Sequence, residues 1–309
     1  MKLSIVTTTY NSESFVGDTI KAVLDQEFTF NVEYLISDDG STDRTVEIIE
    51  EIRDRHPNGS CIRLLAHEQN QGVMKNFFGA VLQTQGQYIA FCDSDDVWSD
   101  LKKLAKQIAY MEENENCMMT YHGYKNIVDE NLPGTLLRHF DEPVNRVINK
   151  PQTSTMMVDG ILRSLIDINV VNEAQGPQND QYLRLLLQNK GDFKILDNIE
   201  PNVRIVRESS IFSTVNKLTK KKKSLHSWQT FYKYHGHGSN QEYLARKVKG
   251  FNSTVKWLEF QDEKKLKLLW NALTFDLGNG ISIRKIFNKG KKILLRPLLY
   301  LKQLSTKNQ

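Results

Sequence analysis

Short apolar runs alternate with stretches whose apolar residues recur every three or four positions, and this alternation carries most of the fold information in the chain. Leu3–Thr8 is a β-rich run, and Val32–Ser37, Ile62–Ala66 and Tyr88–Cys92 are short runs that read as buried strands. Between them lie helical patterns. Phe15, Ile20, Val23 and Leu24 follow Ser12, which reads as an N-cap, and Val46, Ile49 and Ile52 follow a turn where Thr42 or Asp43 caps the next helix. Val73–Leu82 is a third helix, closed by Gly86. This βαβαβαβ rhythm predicts an α/β domain with a mostly parallel, Rossmann-like sheet flanked by helices.

Beyond residue 100 the pattern predicts a helix over Leu101–Met111 and a strand over Cys117–Tyr124. Residues 129–152 hold three of the seven prolines and read as a loop over the site. A strand over Thr153–Val158, helices over Ile161–Ile168 and Gln178–Leu187, and strands over Phe193–Leu196 and Val203–Val206 follow. From about Ser213 the pattern is helical and basic to the end. The expected organisation is a catalytic domain over residues 1–210 and a mainly helical extension over 211–309.

Charge sharpens that division. Residues 211–309 carry 21 Lys and Arg against 5 Asp and Glu, whereas residues 1–210 carry 20 against 32. An acidic front suits metal and substrate chemistry, and a basic tail suits an anionic surface. Lys217 and Lys220–Lys223 precede Trp228, Phe231, Tyr232 and Tyr234, and Lys285–Leu301 mixes basic with leucine-rich positions. These segments fit a helix lying on an anionic membrane, or an apolar face packed on the catalytic domain or on a second copy in a homodimer. No nucleic-acid-binding module is recognisable. No apolar run reaches the ~18 residues that span a bilayer, and the N-terminus enters a strand without a signal-peptide pattern. Cys61, Cys92 and Cys117 form no CxxC pair, and Cys92 and Cys117 read as buried free thiols. The expectation is a cytoplasmic protein, peripheral on the inner face of the cell membrane if the tail binds lipid.

The most informative residues are Asp93-Ser94-Asp95-Asp96, directly after an apolar run. Carboxylates crowded at a strand end repel one another and resist desolvation, and a divalent cation shared with substrate phosphates resolves that conflict. The plain alternative is an acidic turn in which Asp95 or Asp96 caps the following helix. Strand one is followed by Thr7-Thr8-Thr9-Tyr10-Asn11 with no GxGxxG loop, which disfavours a dinucleotide-binding dehydrogenase.

Four motifs occur in order: Ser4-Ile5-Val6-Thr7-Thr8-Thr9-Tyr10-Asn11, Ser37-Asp38-Asp39-Gly40-Ser41-Thr42-Asp43, Asn70-Gln71-Gly72 and Asp93-Ser94-Asp95-Asp96. Together they resemble the GT-A glycosyltransferases of the family 2 type, bacterial enzymes that build polysaccharide from nucleotide sugars. The resemblance is close over residues 3–112 and loose over 113–210. It implies a GT-A fold and an inverting transfer from a UDP- or dTDP-sugar to a glycan or lipid-linked saccharide, assisted by Mn2+ or Mg2+. It places Thr8, Tyr10 and Asn11 at the donor, with Tyr10 able to stack on a base. Asp39 is the acceptor for a pyrimidine N3–H, and Asp38 braces the turn. Lys75 pairs with the diphosphate, Asn76 meets the ribose or sugar, Asp93 faces ribose or sugar hydroxyls, and Asp95 and Asp96 match the metal-contacting positions.

Asp180, in Pro177-Gln178-Asn179-Asp180-Gln181-Tyr182, matches the general base, with Asn179 where Glu is common; Asp167 and Glu173 are reserves. Many relatives carry Tyr-Arg-x-His after this helix. Here Val203-Arg204-Ile205-Val206-Arg207 has no histidine, so Arg204 or Arg207 is expected at the diphosphate. The alternative function is a catalytically inactive scaffold that binds nucleotide sugar or glycan.

Overall fold

The computed structural model describes residues 1–128, 147–148, 151–206 and 217–262. Strands β1 (Leu3–Thr9), β2 (Val32–Asp38), β3 (Ile62–Ala66) and β4 (Tyr88–Phe91) alternate with helices α1 (Val16–Leu24), α2 (Thr45–Arg55) and α3 (Val73–Leu82). There follow β5 (Asp96–Val97), α4 (Lys103–Glu113), β6 (Cys117–Tyr121), β7 (Tyr124–Val128), β8 (Val147–Ile148), β9 (Met157–Asp159), α5 (Leu162–Leu165), α6 (Ile168–Glu173), α7 (Asn179–Leu187), β10 (Asp192–Ile195), β11 (Asn202–Val206), α8 (Lys217–His235) and α9 (Gln241–Asp262).

The main sheet has seven strands in the order β10-β6-β9-β4-β1-β2-β3, parallel throughout except for β9, which runs antiparallel to both β4 and β6. A second sheet, β5-β11-β7-β8, joins the segment after β4 to β11. From β1 the chain proceeds outward through β2 and β3, then returns to place β4 on the other side of β1. The ends of β1 and β4 therefore bracket the topological switch point, where open α/β sheets bind ligands.

Alternate strand residues feed two cores. Val6, Leu35, Ile89 and Phe91 join Phe77 and Phe78 of α3 and Tyr182 and Leu183 of α7. Ile5, Tyr34, Ile36 and Ala90 join Ile20 and Leu24 of α1 and Leu104 and Ile108 of α4. The period-two split is what a sheet covered on both faces demands. The cysteines are free, with Cys92 and Cys117 buried and Cys61 half-buried.

The predicted strands β3 and helix α3 match their bounds, and several other elements differ for local reasons. Ser12 does not cap α1 with its side chain. Its carbonyl accepts the Phe15 and Val16 N–H groups (3.0 and 2.9 Å), while its hydroxyl meets Ser94 Oγ at 3.0 Å. The helix expected over 161–168 is two helices, because Asp167 Oδ1 accepts the Asn169 N–H (2.8 Å) and starts a new one. The strand expected over 117–124 ends at Tyr121, after which Tyr124–Val128 enters the second sheet. Of the strand expected over 153–158, Thr153–Thr155 is a 3₁₀ turn and only Met157 and Val158 belong to β9.

The contacts divide the chain into two compact units, Met1–Val255 and Lys256–Gln309. The first unit takes in α8 and most of α9. Trp228 and Phe231 of α8 are buried in the core that holds α3 and α7, and Tyr182 stacks on Phe231 with ring centroids 4.9 Å apart. Each such aromatic contributes about 1.5–3 kcal/mol by burial. The leucine-rich segment 285–301, the loop 129–146 and Arg207 lie outside the described residues.

Candidate active site

The acidic turn is clasped from two sides. The Asp96 N–H donates to the Asp93 carbonyl at 3.0 Å, closing a turn immediately after β4. From α1, the buried Thr19 hydroxyl lies 2.9 Å from both the Ser94 and Asp96 carbonyls. From the 3₁₀ turn before β9, Ser154 Oγ donates to Asp96 Oδ2 and accepts the Asp93 N–H at 2.8 Å. Gln152 Nε2 donates to the same Asp96 Oδ2 at 2.6 Å. Asp96 Oδ1 is buried and has no hydrogen-bond partner among the described residues. Asp96 also begins β5, where it pairs antiparallel with Arg204 of β11.

Crowding shows in the protonation of these groups. Burial, then Asp95, push the Asp96 carboxyl up to about 6, with Arg204 opposing the rise. Asp93 is raised well above the ordinary carboxylate range by burial and by Asp96 and Asp95. Asp180 adds to that rise, so the structure brings Asp180 into the field of the acidic turn. Burial opposes the charge on Arg204, but Asp96, Asp95 and Asp93 outweigh it and raise the guanidinium above its usual range. One cation, Arg204, faces three carboxylates.

Among the described residues, no group of three or more His, Cys, Asp and Glu side chains is arranged to hold a metal ion. The fit is instead that of a hard divalent cation held by one or two carboxylates, which takes its remaining oxygens from substrate phosphates and water. Asp96 Oδ1, which has no partner among the described residues, and the half-buried Asp95 would supply oxygens to such a cation.

The ends of β1 and β2 form the neighbouring wall. Asp38 braces its own turn by accepting the Ser41 N–H at 2.8 Å and the Ser41 hydroxyl. The Asp39 carboxylate accepts the Gln71 and Gly72 N–H groups (2.7 and 3.0 Å), which Gly72 makes possible by adopting φ 90°. Burial raises the Asp39 carboxyl and these two amides oppose the rise. Each Asp39 oxygen retains lone pairs for a further donor. Thr8 and Tyr10 are half-buried on this edge. Asn11 serves the loop: its N–H donates to Ser41 Oγ (2.8 Å), and its Oδ1 accepts the Thr42 N–H (2.8 Å). Lys75 is exposed and lines a shallow pocket with Glu68, Gln69, Asn70 and Gln71. Asn76 is buried, with Oδ1 accepting from Ser37 Oγ (2.6 Å) and Nδ2 donating to the Ser37 carbonyl (3.1 Å). Its amide is thus engaged in tying α3 to β2.

Asp180 is half-buried in the first turn of α7, accepting from Gln181 Nε2 at 2.8 Å, and burial raises its carboxyl against the pull of Arg184. The reserve carboxylates are spoken for. Asp167 caps α6, and Glu173 pairs with Lys233 (2.8 Å) and Tyr234 (3.1 Å) of α8. Arg204 is half-buried beside the turn. Sequence reasoning missed Thr19, Gln152, Ser154 and Asn202, whose amide donates to the Ser154 carbonyl at 2.7 Å. A polar residue in an otherwise apolar stripe was the signal at Thr19, and no comparable signal marks Ser154.

Comparison with known proteins agrees with the fold. The family model described as glycosyl transferase family 2 matches residues 4–161. The Escherichia coli UDP-Glc:alpha-D-GlcNAc-diphosphoundecaprenol beta-1,3-glucosyltransferase WfgD is 32% identical over 186 residues, covering 59% of this chain and 68% of that protein. Against uncharacterized mycobacterial proteins matched at 34% identity over 128 residues, the chain spans 36% of their length. Among solved structures, Staphylococcus aureus TarS in complex with UDP-GlcNAc superposes with a TM-score of 0.61 at 19% identity, covering 86% of this chain and 77% of that one. The Pyrobaculum calidifontis mannosyltransferase PcManGT in complex with GDP-Man and Mn2+ gives 0.55 at 11% identity, covering 89% and 80%. The sheet order, the matched span and the coverage of WfgD agree: this chain belongs to glycosyl transferase family 2.

Proposed function

We propose that the chain is an inverting glycosyltransferase that moves a sugar from a UDP- or dTDP-sugar to a saccharide or lipid-linked saccharide acceptor in bacterial polysaccharide synthesis. The observation that carries this reading is the convergence of Asp39, the acidic turn, Arg204 and Asp180 on one edge of the sheet, with Asp96 Oδ1 buried and without a partner among the described residues. The UDP-GlcNAc complex of TarS and the activity in the name of WfgD support the donor class; the Mn2+ in the PcManGT complex supports the metal.

In this reading Asp39 accepts the pyrimidine N3–H, Tyr10 lies against the base, and Asp93 accepts from ribose or sugar hydroxyls. Lys75 and Arg204 face the diphosphate, and Arg207 is the second arginine assigned to it by the resemblance. Asp95 and Asp96 hold Mn2+ or Mg2+, which when bound neutralises charge on the leaving diphosphate. The acceptor hydroxyl oxygen forms its bond to the anomeric carbon as the bond to the diphosphate oxygen breaks, and the electron pair leaves with the nucleoside diphosphate. Asp180 takes the acceptor proton, a task suited by its raised carboxyl.

No described helix is long and apolar enough to cross a membrane. Contact with a lipid-linked acceptor therefore falls, in this reading, to the basic residues of 211–309 at the cytoplasmic face, with Lys222 and Lys223 exposed on α8. The test is release of nucleoside diphosphate from UDP- and dTDP-sugars with Mn2+, with and without saccharide acceptors. Turnover by the parent chain and none by Asp180→Asn supports the reading. Donor binding without any turnover favours the scaffold instead.

A further inference from the structure

Ser154 makes polar contacts with four residues of the site. Its hydroxyl donates to Asp96 Oδ2 and accepts the Asp93 N–H (2.8 Å). Its carbonyl accepts from Trp98 Nε1 (2.8 Å) and from Asn202 Nδ2 (2.7 Å) on the strand that carries Arg204. Ser154 is fully buried. A serine that merely filled space would not meet both ends of the acidic turn and the opposing strand at once.

The segment that presents it is hydrogen-bonded within itself and to the helix beneath it. The Thr155 N–H donates to the Gln152 carbonyl and the Met156 N–H to the Thr153 carbonyl (2.8 and 3.1 Å). Beneath the turn, Gln107 Nε2 donates to the Thr155 carbonyl (3.1 Å), and the buried Lys103 donates to Gln107 Oε1 (2.8 Å) while lying 3.9 Å from the Trp98 ring centre. Gln152 and Ser154, two residues apart, converge on one oxygen of Asp96. That oxygen is saturated, and the other, Oδ1, has no partner among the described residues.

We propose that Ser154 and Gln152 are positioning residues for the acidic turn: they occupy Asp96 Oδ2, aim Asp96 Oδ1 as a single ligand oxygen, and lock Asp93, Asp96 and the Arg204 strand in one register before donor and metal arrive. The proposal rests on the metal-assisted reading above. Groups that hold a ligand carboxylate from behind raise metal affinity by fixing its orientation, and their loss costs about 10–100-fold in affinity.

The test measures Mn2+ binding in the presence of UDP by the electron paramagnetic resonance signal of free Mn2+, with UDP alone titrated in parallel, on the full chain. Gln152 is only half-buried, so Gln152→Ala reads the positioning effect without emptying the core. Ser154→Ala, which keeps the volume and removes the hydroxyl, is the stronger variant. The expected result is a Mn2+ dissociation constant raised about tenfold or more in each, with UDP affinity in EDTA little changed and Gln152→Glu, whose carboxylate repels Asp96, worse than Gln152→Ala. Mn2+ affinity equal to that of the parent in folded Ser154→Ala and Gln152→Ala overturns the positioning role while leaving the transferase reading intact. A parent chain that binds neither UDP nor Mn2+ overturns that reading itself, and the positioning role with it.

Discussion

Arg204 stands opposite Asp96 where β11 pairs with β5, so a guanidinium and a buried carboxylate share one rung of a two-residue ladder. Its charge opposes the upward shift of both Asp96 and Asp93. The family resemblance places a histidine close to this point. Arg204→Ala is expected to lower turnover on the order of 10²-fold, the usual cost of losing one preorganised charge-stabilising group. Arg204→Lys should recover part of it, since charge without the planar fork gives one contact in place of two. Steady-state kinetics at saturating Mn2+ checks this, and parental turnover in Arg204→Ala would contradict it.

Asp180 acts on Asp93 of the acidic turn and, unlike Asp167 and Glu173, is committed neither to capping α6 nor to pairing with α8. Asp180→Asn is expected to reduce kcat by about 10²–10⁴-fold while leaving UDP binding within about twofold of the parent. A matching loss of UDP affinity would move Asp180 from proton acceptor to donor-binding residue.

How much of this was legible in the sequence depended on the range of the interactions. The acidic turn was visible because three carboxylates follow a four-residue apolar strand, and β3 and α3 because their apolar spacing is bounded by turn residues on both sides. Ser12 misled because a serine three residues before a helical stripe looks like a cap, yet here its hydroxyl finds Ser94, 82 positions away. Asn76 looked like a helix-surface amide free to meet a ligand, and only the placement of Ser37 on β2 beneath α3 shows it to be a brace. Ser154 was invisible for the same reason. Its role exists only because β9 inserts antiparallel between β4 and β6 and brings residue 154 against residue 96.

Trp228 tests whether the basic helix α8 belongs to the core. Its ring is almost fully buried, with Phe231, Tyr243 and Phe251 rings 5.4, 6.2 and 6.1 Å away. Trp228→Ala is expected to cost about 3–5 kcal/mol of stability, measured as a lower denaturant midpoint. A change under about 1 kcal/mol would mean that α8 is a detachable surface element.

Lys103 sets a pH dependence of stability. Burial lowers its ammonium to about 7 in the folded chain from an ordinary 10.5. Above pH 7 the unfolded chain therefore binds the proton that the folded chain has released, so this group makes stability rise with pH, by a slope approaching about 1.4 kcal/mol per unit. The clean window is pH 7 to about 8.5, before ordinary thiols titrate. Lys103→Met should remove the slope in that window, as read from urea unfolding at several pH values. An unchanged slope would assign it elsewhere.

The central claim is a pyrimidine-diphosphate site completed by a metal at the edge of β1, β2 and β4, and thermal unfolding with nucleotides tests it most directly. Ligand bound only by the folded chain stabilises it by RT ln(1 + [L]/Kd), about 2.7 kcal/mol at a hundredfold excess over Kd. Tm is expected to rise with UDP or dTDP and Mn2+, to rise less in EDTA, to change little with CMP, and to lose the Mn2+ increment in Asp95→Ala. No shift with any of these nucleotides, or an equal shift with CMP, would contradict it.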